Sequence, residues 1–410
     1  MRCERTTQVL FRVLATLLVA GTMALRAETE VRLRAGVSDR VRNYNLRLGA
    51  LQLDLAGSMT VTFDDNPAGS SANPQPGVAL EYGTEVGVYW PIRKDFTLDS
   101  VVYIGRHDVL SGAGEAGWLV RAVEGTGLAL DMKVGDSGLL SLSETLNMDV
   151  QTLEGASGTG TSAQWMGFNQ LALQYENQLS RNHLLALRVG EDDLWALSPE
   201  FSYRGLRTQY AAGKHSWHLT RDEEVGPYAS FRMHTHPQKQ HNDADEYELG
   251  LMFQSQLTRR THLELQVGYQ VMNFSTANVP ETTDQGATPT GKISVVSQIT
   301  RSMSHGITLK YFDRMGTARD INYSEDIVAA YRYNWDLSRR WYFVYLFNWV
   351  HSTYSGSGDS EQWLSNEFQL GYRVKKWSMF GGYRRTDRLS YMTEREYTSN
   401  QVTLGVNYDF

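Results

Sequence analysis

Cysteine, proline and long hydrophobic segments are scarce in this sequence of 410 residues. The one cysteine, Cys3, allows neither a disulfide framework nor a thiolate metal site. Proline occurs 9 times, whereas glycine occurs 36 times and aromatic residues make up 11% of the chain. The only apolar run that approaches membrane-spanning length lies at the N-terminus, which excludes a helical membrane protein. The plentiful apolar and aromatic residues exclude a disordered chain and leave a β-rich fold.

The N-terminal residues have the layout of a secretory signal peptide. Arg2 and Arg5 precede an apolar stretch over residues 13–25, and the small residues Ala24 and Ala27 follow. We expect residues 1–27 to be a signal peptide that is cleaved after Ala27, with cleavage after Ala24 as the alternative. Cys3 precedes the apolar stretch and therefore does not fit a lipoprotein signal.

The mature chain is acidic and divides into two predicted parts. Residues 28–47 are expected to form a periplasmic lead-in, with a plug inside the fold as the alternative, and residues 48–410 to form the folded domain. Removal of residues 1–27 takes away four arginines and one glutamate, which changes the formal net charge from −7 to −10. An acidic exported chain is a poor candidate for binding nucleic acid.

Strict alternation of apolar and polar residues dominates the sequence. Leu51, Leu53 and Leu55 alternate with Gln52 and Asp54, and the same period of two recurs over residues 78–90, 246–254, 263–270 and 401–410. This period predicts β-strands with one apolar face. We expect strands of about 10–13 residues, longer than is usual in globular sheets.

The connections between these strands alternate in character. Long connections of about 10–18 residues are rich in Gly, Ser and Asp, and short ones are mostly basic. We expect eight short turns, near residues 93, 137, 181, 213, 260, 302, 340 and 376. The turn near 213, in the segment AAGKHS, has the weakest signal. With both termini on the turn side, eight turns predict eighteen strands, or sixteen if the turn near 213 is absent.

The pattern favours a transmembrane barrel over a soluble sandwich or a propeller. The strands are long, the loops are asymmetric, and aromatic residues flank the turns, as in the girdles of membrane barrels. A propeller needs four short strands in each repeat, whereas each repeat here holds two long ones. We therefore predict a closed antiparallel all-β barrel in a membrane, with girdle residues Trp90, Trp335, Trp341 and Trp377.

Two stretches resemble bacterial outer-membrane proteins. The terminal VTLGVNYDF, with Tyr408 and Phe410, looks like the final strand that such proteins present to their assembly machinery. The segment LRLGALQLDLAGSMTVTFDDN is similar to the first strand of the putative β-barrel porin families, which often ends in a triplet like Asp64, Asp65 and Asn66. The resemblance implies export through the inner membrane of a Gram-negative cell and insertion among outer-membrane lipids.

The inner face of such a barrel is expected to be polar. The alternation places these candidate pore-lining residues there: Glu81, Glu85, Asp99, Asp131, Lys133, Arg188, Arg204, Arg232, Glu248, Glu264, Lys310 and Arg332. A barrel of sixteen to eighteen strands is wide enough for an aqueous channel. Inward glycines such as Gly83, Gly87, Gly250 and Gly268 are expected to reduce the filling of the lumen further.

These features predict a porin-like channel for passive diffusion of small hydrophilic solutes, without cofactor or enzymatic activity. The net negative charge favours cations. The alternative is a structural or export-partner barrel, for example a polysaccharide outlet, for which Tyr89, Tyr103 and Tyr228 could supply an aromatic track. The sequence leaves the oligomeric state open.

Several motifs are interpreted as coincidental. Gly112, Gly114 and Gly117 spell a dinucleotide-binding motif, but an alternating segment follows where that motif needs a helix. The pair Ser100 and His107 is a weak candidate for hydrolysis at the barrel rim. The histidines are interpreted as surface residues rather than a metal site: His215, His218, His234, His236 and His241.

Glu144 is the exception to the apolar outer face. It lies in the lipid-facing register of Leu142 and Leu146, where a charge is costly. Either the register slips there or Glu144 lies close to a membrane interface.

Overall fold

A computed structural model describes eleven segments of the chain. They are residues 44–67, 69–112, 116–122, 127–151, 164–197, 205–238, 242–275, 286–315, 323–355, 359–391 and 396–410. The predicted signal peptide and most of the lead-in therefore lie outside the described residues. Within the described segments, no helix is long and apolar enough to cross a membrane.

Every regular element of the described segments is a β-strand. In chain order the strands are β1 (Leu46–Leu48), β2 (Leu51–Asp64), β3 (Gly77–Arg93), β4 (Phe96–Ser111), β5 (Gly117–Ala122), β6 (Leu128–Val134), β7 (Gly138–Gln151), β8 (Gln164–Ser180), β9 (His183–Ala196), β10 (Leu206–His218), β11 (Glu223–Thr235), β12 (Ala244–Thr258), β13 (Thr261–Phe274), β14 (Gly286–Thr300), β15 (Met303–Met315), β16 (Tyr323–Asp336), β17 (Trp341–Tyr354), β18 (Ser360–Val374), β19 (Trp377–Ser390) and β20 (Tyr397–Asp409).

These strands form one closed antiparallel barrel of eighteen strands. Each strand pairs with the next except β5, which does not pair with β6, and β20 returns to pair with β2. β5 and β6 are two halves of one barrel strand, because both lie between β4 and β7. β1 is a short arm folded back on β2. The predicted fold class is confirmed, and the structure has eighteen strands rather than sixteen.

The turns agree with the sequence prediction except at one position. Eight short turns join the strands at one end of the barrel. The turn expected near residue 213 is wrong, because Gly213 lies inside β10 and the turn spans residues 219–222. The strand count is unaffected, because β11 begins correspondingly later. The unbroken barrel strands are also longer than predicted, at 13–17 residues. The loops at the other end of the barrel are correspondingly shorter than predicted and span between 5 and 12 residues.

The two faces of the sheet differ as the alternation predicts. Leu249 and Val267 are 64% and 62% exposed on the outer face. Glu246 and Gln266, on the opposite face of the same strands, are 3% and 2% exposed. The barrel thus presents an apolar belt outside and places its polar side chains inside, as a lipid-embedded barrel requires.

Glu144 lies on the outer face, and its register does not slip. It pairs with Leu171 on β8 and with Leu128, the first residue of β6. Glu144 thus lies beside the first described residue pair of β6, the second half of the neighbouring barrel strand. The exposed outer face there also includes Leu142 and Leu146.

Candidate pore lining

Strand pairing determines which residues face inward. In β11 and β12, Arg232 pairs with Glu246 on the inner face, while their neighbours Phe231 and Tyr247 pair on the apolar outer face. Arg204 lies outside the described residues. The same alternation places the other eleven predicted lining residues on the inner face: Glu81, Glu85, Asp99, Asp131, Lys133, Arg188, Arg232, Glu248, Glu264, Lys310 and Arg332.

Ion pairs between nearby strands line the inner face. Arg121 donates to both carboxylate oxygens of Glu81, at 2.5 and 3.0 Å. Further pairs join Arg232 to Glu246, Lys292 to Glu264, Arg314 to Asp326, Arg384 to Glu367 and Arg388 to Glu361. Sequence reasoning missed several of these partners, among them Glu246 and Asp326. Alternation shows which face a residue occupies, whereas the partner depends on register between strands.

The cation is more exposed than the anion in five of these six pairs, by ten percentage points or more in four of them. The carboxylates lie against the wall, and the guanidinium groups extend over them. The exposed side-chain fractions are 29% and 3% for Arg232 and Glu246, 26% and 0% for Arg314 and Asp326, 34% and 24% for Arg121 and Glu81, and 37% and 24% for Arg384 and Glu367. A solute inside the barrel therefore meets more positive than negative surface at these four pairs.

Inward glycines accommodate tyrosine rings that lie flat along the wall. A Cβ at Gly83 or Gly105 would collide with Tyr103, and one at Gly250 or Gly268 with Tyr228. The expectation that these glycines open the lumen is therefore wrong at Gly83, Gly250 and Gly268, because a ring occupies the space. The Tyr228 hydroxyl donates to Glu248, at 3.1 Å. The glycines and tyrosines together give a smooth inner wall.

Two histidines of β11 and its following loop are buried, which corrects the surface interpretation. His234 contacts the hydroxyl of Thr208 through Nδ1, at 3.0 Å, and Glu246 through Nε2, at 2.8 Å. His236 is fully buried, and its Nδ1 lies 3.2 Å from the carbonyl of Asn242. His241 lies outside the described residues. Across the described segments, no group of three or more candidate ligands is placed to hold a metal ion.

The glycine motif and the pair Ser100 and His107 are not arranged as their suggested functions require. Gly117 begins strand β5 rather than a helix, so the glycine motif lacks the helix N-terminus that would bind a pyrophosphate. His107 is on the inner face of β4 in register with Glu81, whereas Ser100 belongs to the opposite face and donates to the carbonyl of Gly127. These two side chains therefore do not meet.

Aromatic contacts occupy the turn end of the barrel. Trp377 contacts Tyr408 with ring centroids 4.6 Å apart, and Tyr408 contacts Phe410 at 5.2 Å. Trp90, Trp341 and Trp377 are exposed there, and Trp335 is half-buried. Their proposed role at the membrane interface stays a prediction.

The Asp-Asp-Asn triplet joins the first long strand to the last. The carboxylate of Asp65 accepts from the backbone N–H and the side-chain amide of Asn400, at 2.7 and 2.8 Å. Asp64 accepts from the Ser399 hydroxyl at 2.8 Å, and the Asn66 amide donates to the carbonyl of Thr398 at 3.1 Å. At the opposite end, the backbone N–H of Phe410 donates to the carbonyl of Leu55, at 3.0 Å. The closing contact between β20 and β2 is thus held at both ends.

Comparison with solved structures finds bacterial proteins that cover most of this chain at low sequence identity. Pseudomonas aeruginosa OccK2 (OpdF) has a TM-score of 0.49 at 11% identity and covers 88% of this chain and 99% of its own. Acinetobacter baumannii OccAB2 has a TM-score of 0.48 at 9% identity, over 87% and 98% of the two chains. P. aeruginosa OpdK, solved with vanillate, has a TM-score of 0.47 at 12% identity, over 87% and 98%. No protein-family model matches the chain, and no curated protein is significantly similar to it.

Proposed function

We propose that this barrel is a channel of the Gram-negative outer membrane through which small hydrophilic solutes diffuse passively. The proposal rests on the inner face of the eighteen-stranded barrel, where ion pairs occur on several strands. Barrels of 16–18 strands leave an aqueous channel, whereas eight strands fill their interior with side chains. The proposal involves no catalytic step and no cofactor.

The selectivity we propose is a weak preference for anions. The net charge of the mature chain favours cations, but permeating solutes meet the local surface of the lumen. The side chains of Arg232 and Arg314 are 29% and 26% exposed, whereas those of their carboxylate partners are 3% and 0% exposed. Lys310, the direct partner of Lys292 across β14 and β15, is also exposed on the same face. Like charges aligned along a wall set a local potential that the net charge does not describe.

A structural or export-partner barrel remains the second candidate. An outlet for polysaccharide would need aromatic faces open to the lumen for stacking with sugar rings. Tyr103 and Tyr228 are 8% and 3% exposed, so their ring faces are unavailable to a passing sugar. This observation favours the diffusion channel.

Export and assembly complete the proposal. The signal peptide over residues 1–27 would direct the chain through the inner membrane and then be cleaved. Tyr408 and Phe410 would serve as the terminal signal for the barrel assembly machinery, and lipid would contact the outer face. N-terminal sequencing and thiol labelling of envelope protein test the first step, because a mature chain that keeps Cys3 contradicts cleavage.

Permeation into liposomes tests the channel directly. Proteoliposomes should swell in solutions of a pentose and swell more slowly in a tetrasaccharide, because a fixed lumen excludes solutes by size. The absence of swelling with folded, heat-modifiable protein would contradict the channel and favour the structural role.

A salt gradient tests the anion preference separately. In a KCl gradient, the reversal potential should show chloride passing faster than potassium. Arg384→Gln should reduce that preference, because Arg384 faces the lumen, and Arg385→Gln should leave it unchanged, because Arg385 lies on the outer face. Equal effects of the two variants would show that net charge, rather than the lumen surface, determines selectivity.

A further inference from the structure

The two ends of the barrel carry opposite charge. The eight short turns contain ten lysine and arginine residues and three acidic residues. The nine loops at the other end contain four basic and eleven acidic residues. The formal charge is therefore +7 in the turns and −7 in the loops. The net charge of the whole chain conceals this difference.

The positive charge of the turns is concentrated on one part of the circumference. The turns after β12, β14, β16 and β18 are neighbours, because β13 pairs with β14, β15 with β16 and β17 with β18. These four turns contain no acidic residue and seven basic ones, which we call the basic arc: Arg259, Arg260, Arg301, Arg339, Arg340, Lys375 and Lys376. The arc spans eight of the eighteen barrel strands.

The remaining turns are neutral and provide an internal comparison. They contain three basic and three acidic residues, namely Lys94, Arg181, Arg221, Asp95, Asp136 and Asp222. All six of these side chains are exposed, as are the seven of the basic arc. The two parts of the turn end therefore differ in charge rather than in exposure.

Backbone hydrogen bonds hold the turns of the basic arc against one another. The N–H of Arg373 donates to the carbonyl of Arg340 at 2.7 Å, and the N–H of Gln298 donates to the carbonyl of Arg260 at 2.8 Å. Asp336, an acidic residue at the end of β16, forms its ion pair with Arg373 at 3.3 Å, and Arg373 lies outside the arc. The seven cations thus form a row along one side of the turn end.

The outer face beside this row is apolar and aromatic. Leu257 and Ile299 lie two residues before basic residues of the arc and are 56% and 49% exposed. Arg340 donates to the hydroxyl of Tyr372 at 3.3 Å, and the Tyr372 ring lies 4.9 Å from that of Trp341. This hydrogen bond directs the guanidinium toward the outer face. The arc therefore lies where an apolar belt and its aromatic girdle end.

A phospholipid with a net negative head group matches both features. Its acyl chains contact the apolar belt, and its phosphate accepts from the lysine and arginine side chains, since a guanidinium binds phosphate through two parallel hydrogen bonds. Basic residues beside a membrane attract anionic lipids electrostatically. A soluble acidic protein would fit cations directed away from the membrane, whereas Arg340 is directed toward its outer-face neighbour Tyr372.

We propose that the basic arc binds the head groups of anionic phospholipids in the periplasmic leaflet and gathers these lipids on one side of the barrel. The leaflet follows from the turns, because short turns of bacterial outer-membrane barrels are periplasmic. The inference rests on the membrane placement proposed above and is independent of solute passage. An acidic chain without such an arc would repel anionic lipid, so the sign of the lipid preference is informative.

Electron paramagnetic resonance with spin-labelled lipids measures this preference in phosphatidylcholine liposomes that contain the folded protein. At low salt, spin-labelled phosphatidylglycerol should associate with the barrel at least about twofold more strongly than spin-labelled phosphatidylcholine. The preference should largely disappear at 1 M salt, where the screening length is about 3 Å. Equal association of the two lipids at low salt would overturn the proposal.

Two triple variants with the same charge change provide the matched comparison. Combining Arg301→Gln, Arg340→Gln and Lys376→Gln removes one cation from each of three turns of the arc and should reduce the phosphatidylglycerol preference by at least about half. Combining Lys94→Gln, Arg181→Gln and Arg221→Gln removes one cation from each of three neutral-part turns and should leave the preference unchanged. Equal losses in the two variants would contradict a site at the arc.

Two further measurements separate this inference from its alternatives. Single-channel conductance of the arc variant should remain within about twofold of the original, because these side chains lie in the turns rather than on the inner face. Loss of conductance in the original protein, with the lipid preference intact, would contradict the channel alone. Binding of soluble polyglutamate without any lipid preference would overturn the proposal and assign the arc to an acidic protein.

Discussion

Two contacts between strands of the barrel differ in how far apart their strands lie in the sequence. The closing contact joins β20 to β2, which lie more than 330 residues apart, and it is paired from Asp64 to Ala56 and held by side chains at its outer end. The β12–β13 contact joins consecutive strands through a short turn and is paired from Ala244 to Ser255. The contact between distant strands therefore has a continuous ladder like that of consecutive strands, with side-chain hydrogen bonds added at its end.

Loop closure explains part of this difference. Bringing together two ends of a long chain costs conformational entropy, and the cost must be offset by local interactions. Asp65 and Asn66 supply hydrogen bonds to β20 at one end, and Phe410 supplies one to β2 at the other. The short turn between Thr258 and Thr261 already holds β12 and β13 together covalently, so bringing these two strands together costs little conformational entropy.

Deletion of Phe410 should have the largest effect on this comparison. It removes the backbone hydrogen bond to Leu55 and the ring contact with Tyr408, and with them the lower end of the closing contact. The amount of heat-modifiable barrel on unboiled gels should fall severalfold. Phe410→Tyr keeps the ring and the backbone and should behave like the original chain. Unchanged yield after deletion would contradict the closing role.

Asp65→Ala should weaken the upper end of the same contact. It leaves the backbone N–H and the amide of Asn400 without their acceptor, at a cost of about 1–3 kcal/mol. Urea unfolding in liposomes or micelles measures this loss. Asp136→Ala, the same change in an exposed turn, is the matched control and should have no measurable effect. Equal effects of the two variants would contradict a specific role for the triplet.

Most of the fold could be predicted from the sequence. The period of two predicts both faces of every strand, because a side-chain period of two is intrinsic to the β conformation. The basic turns predict the strand number. The turn predicted near residue 213 was wrong because the glycine and lysine of AAGKHS resemble turn residues. In the structure, Gly213 is a small outward residue inside β10, and Lys214 is an inward residue that pairs with Glu224.

The sequence predicted the face on which each candidate lining residue lies, but not the residue with which it pairs. Glu248 and Arg232 were expected inside, and their register confirms that they share a face. Two contacts depend on the offset between neighbouring strands: Glu246 is buried beneath Arg232, and Tyr228 covers Gly250. Alternation within one strand carries no information about that offset.

Single-channel recording in planar bilayers tests the central claim most directly. Purified, folded protein should insert and give stepwise conductance that scales with the bulk conductivity of small electrolytes, as expected for a hydrated lumen lined by the ion pairs of Arg121, Arg232 and Arg384. Insertion of heat-modifiable protein without any conductance step would contradict the account, because it would mean that the interior of the eighteen-stranded barrel is closed to water and ions.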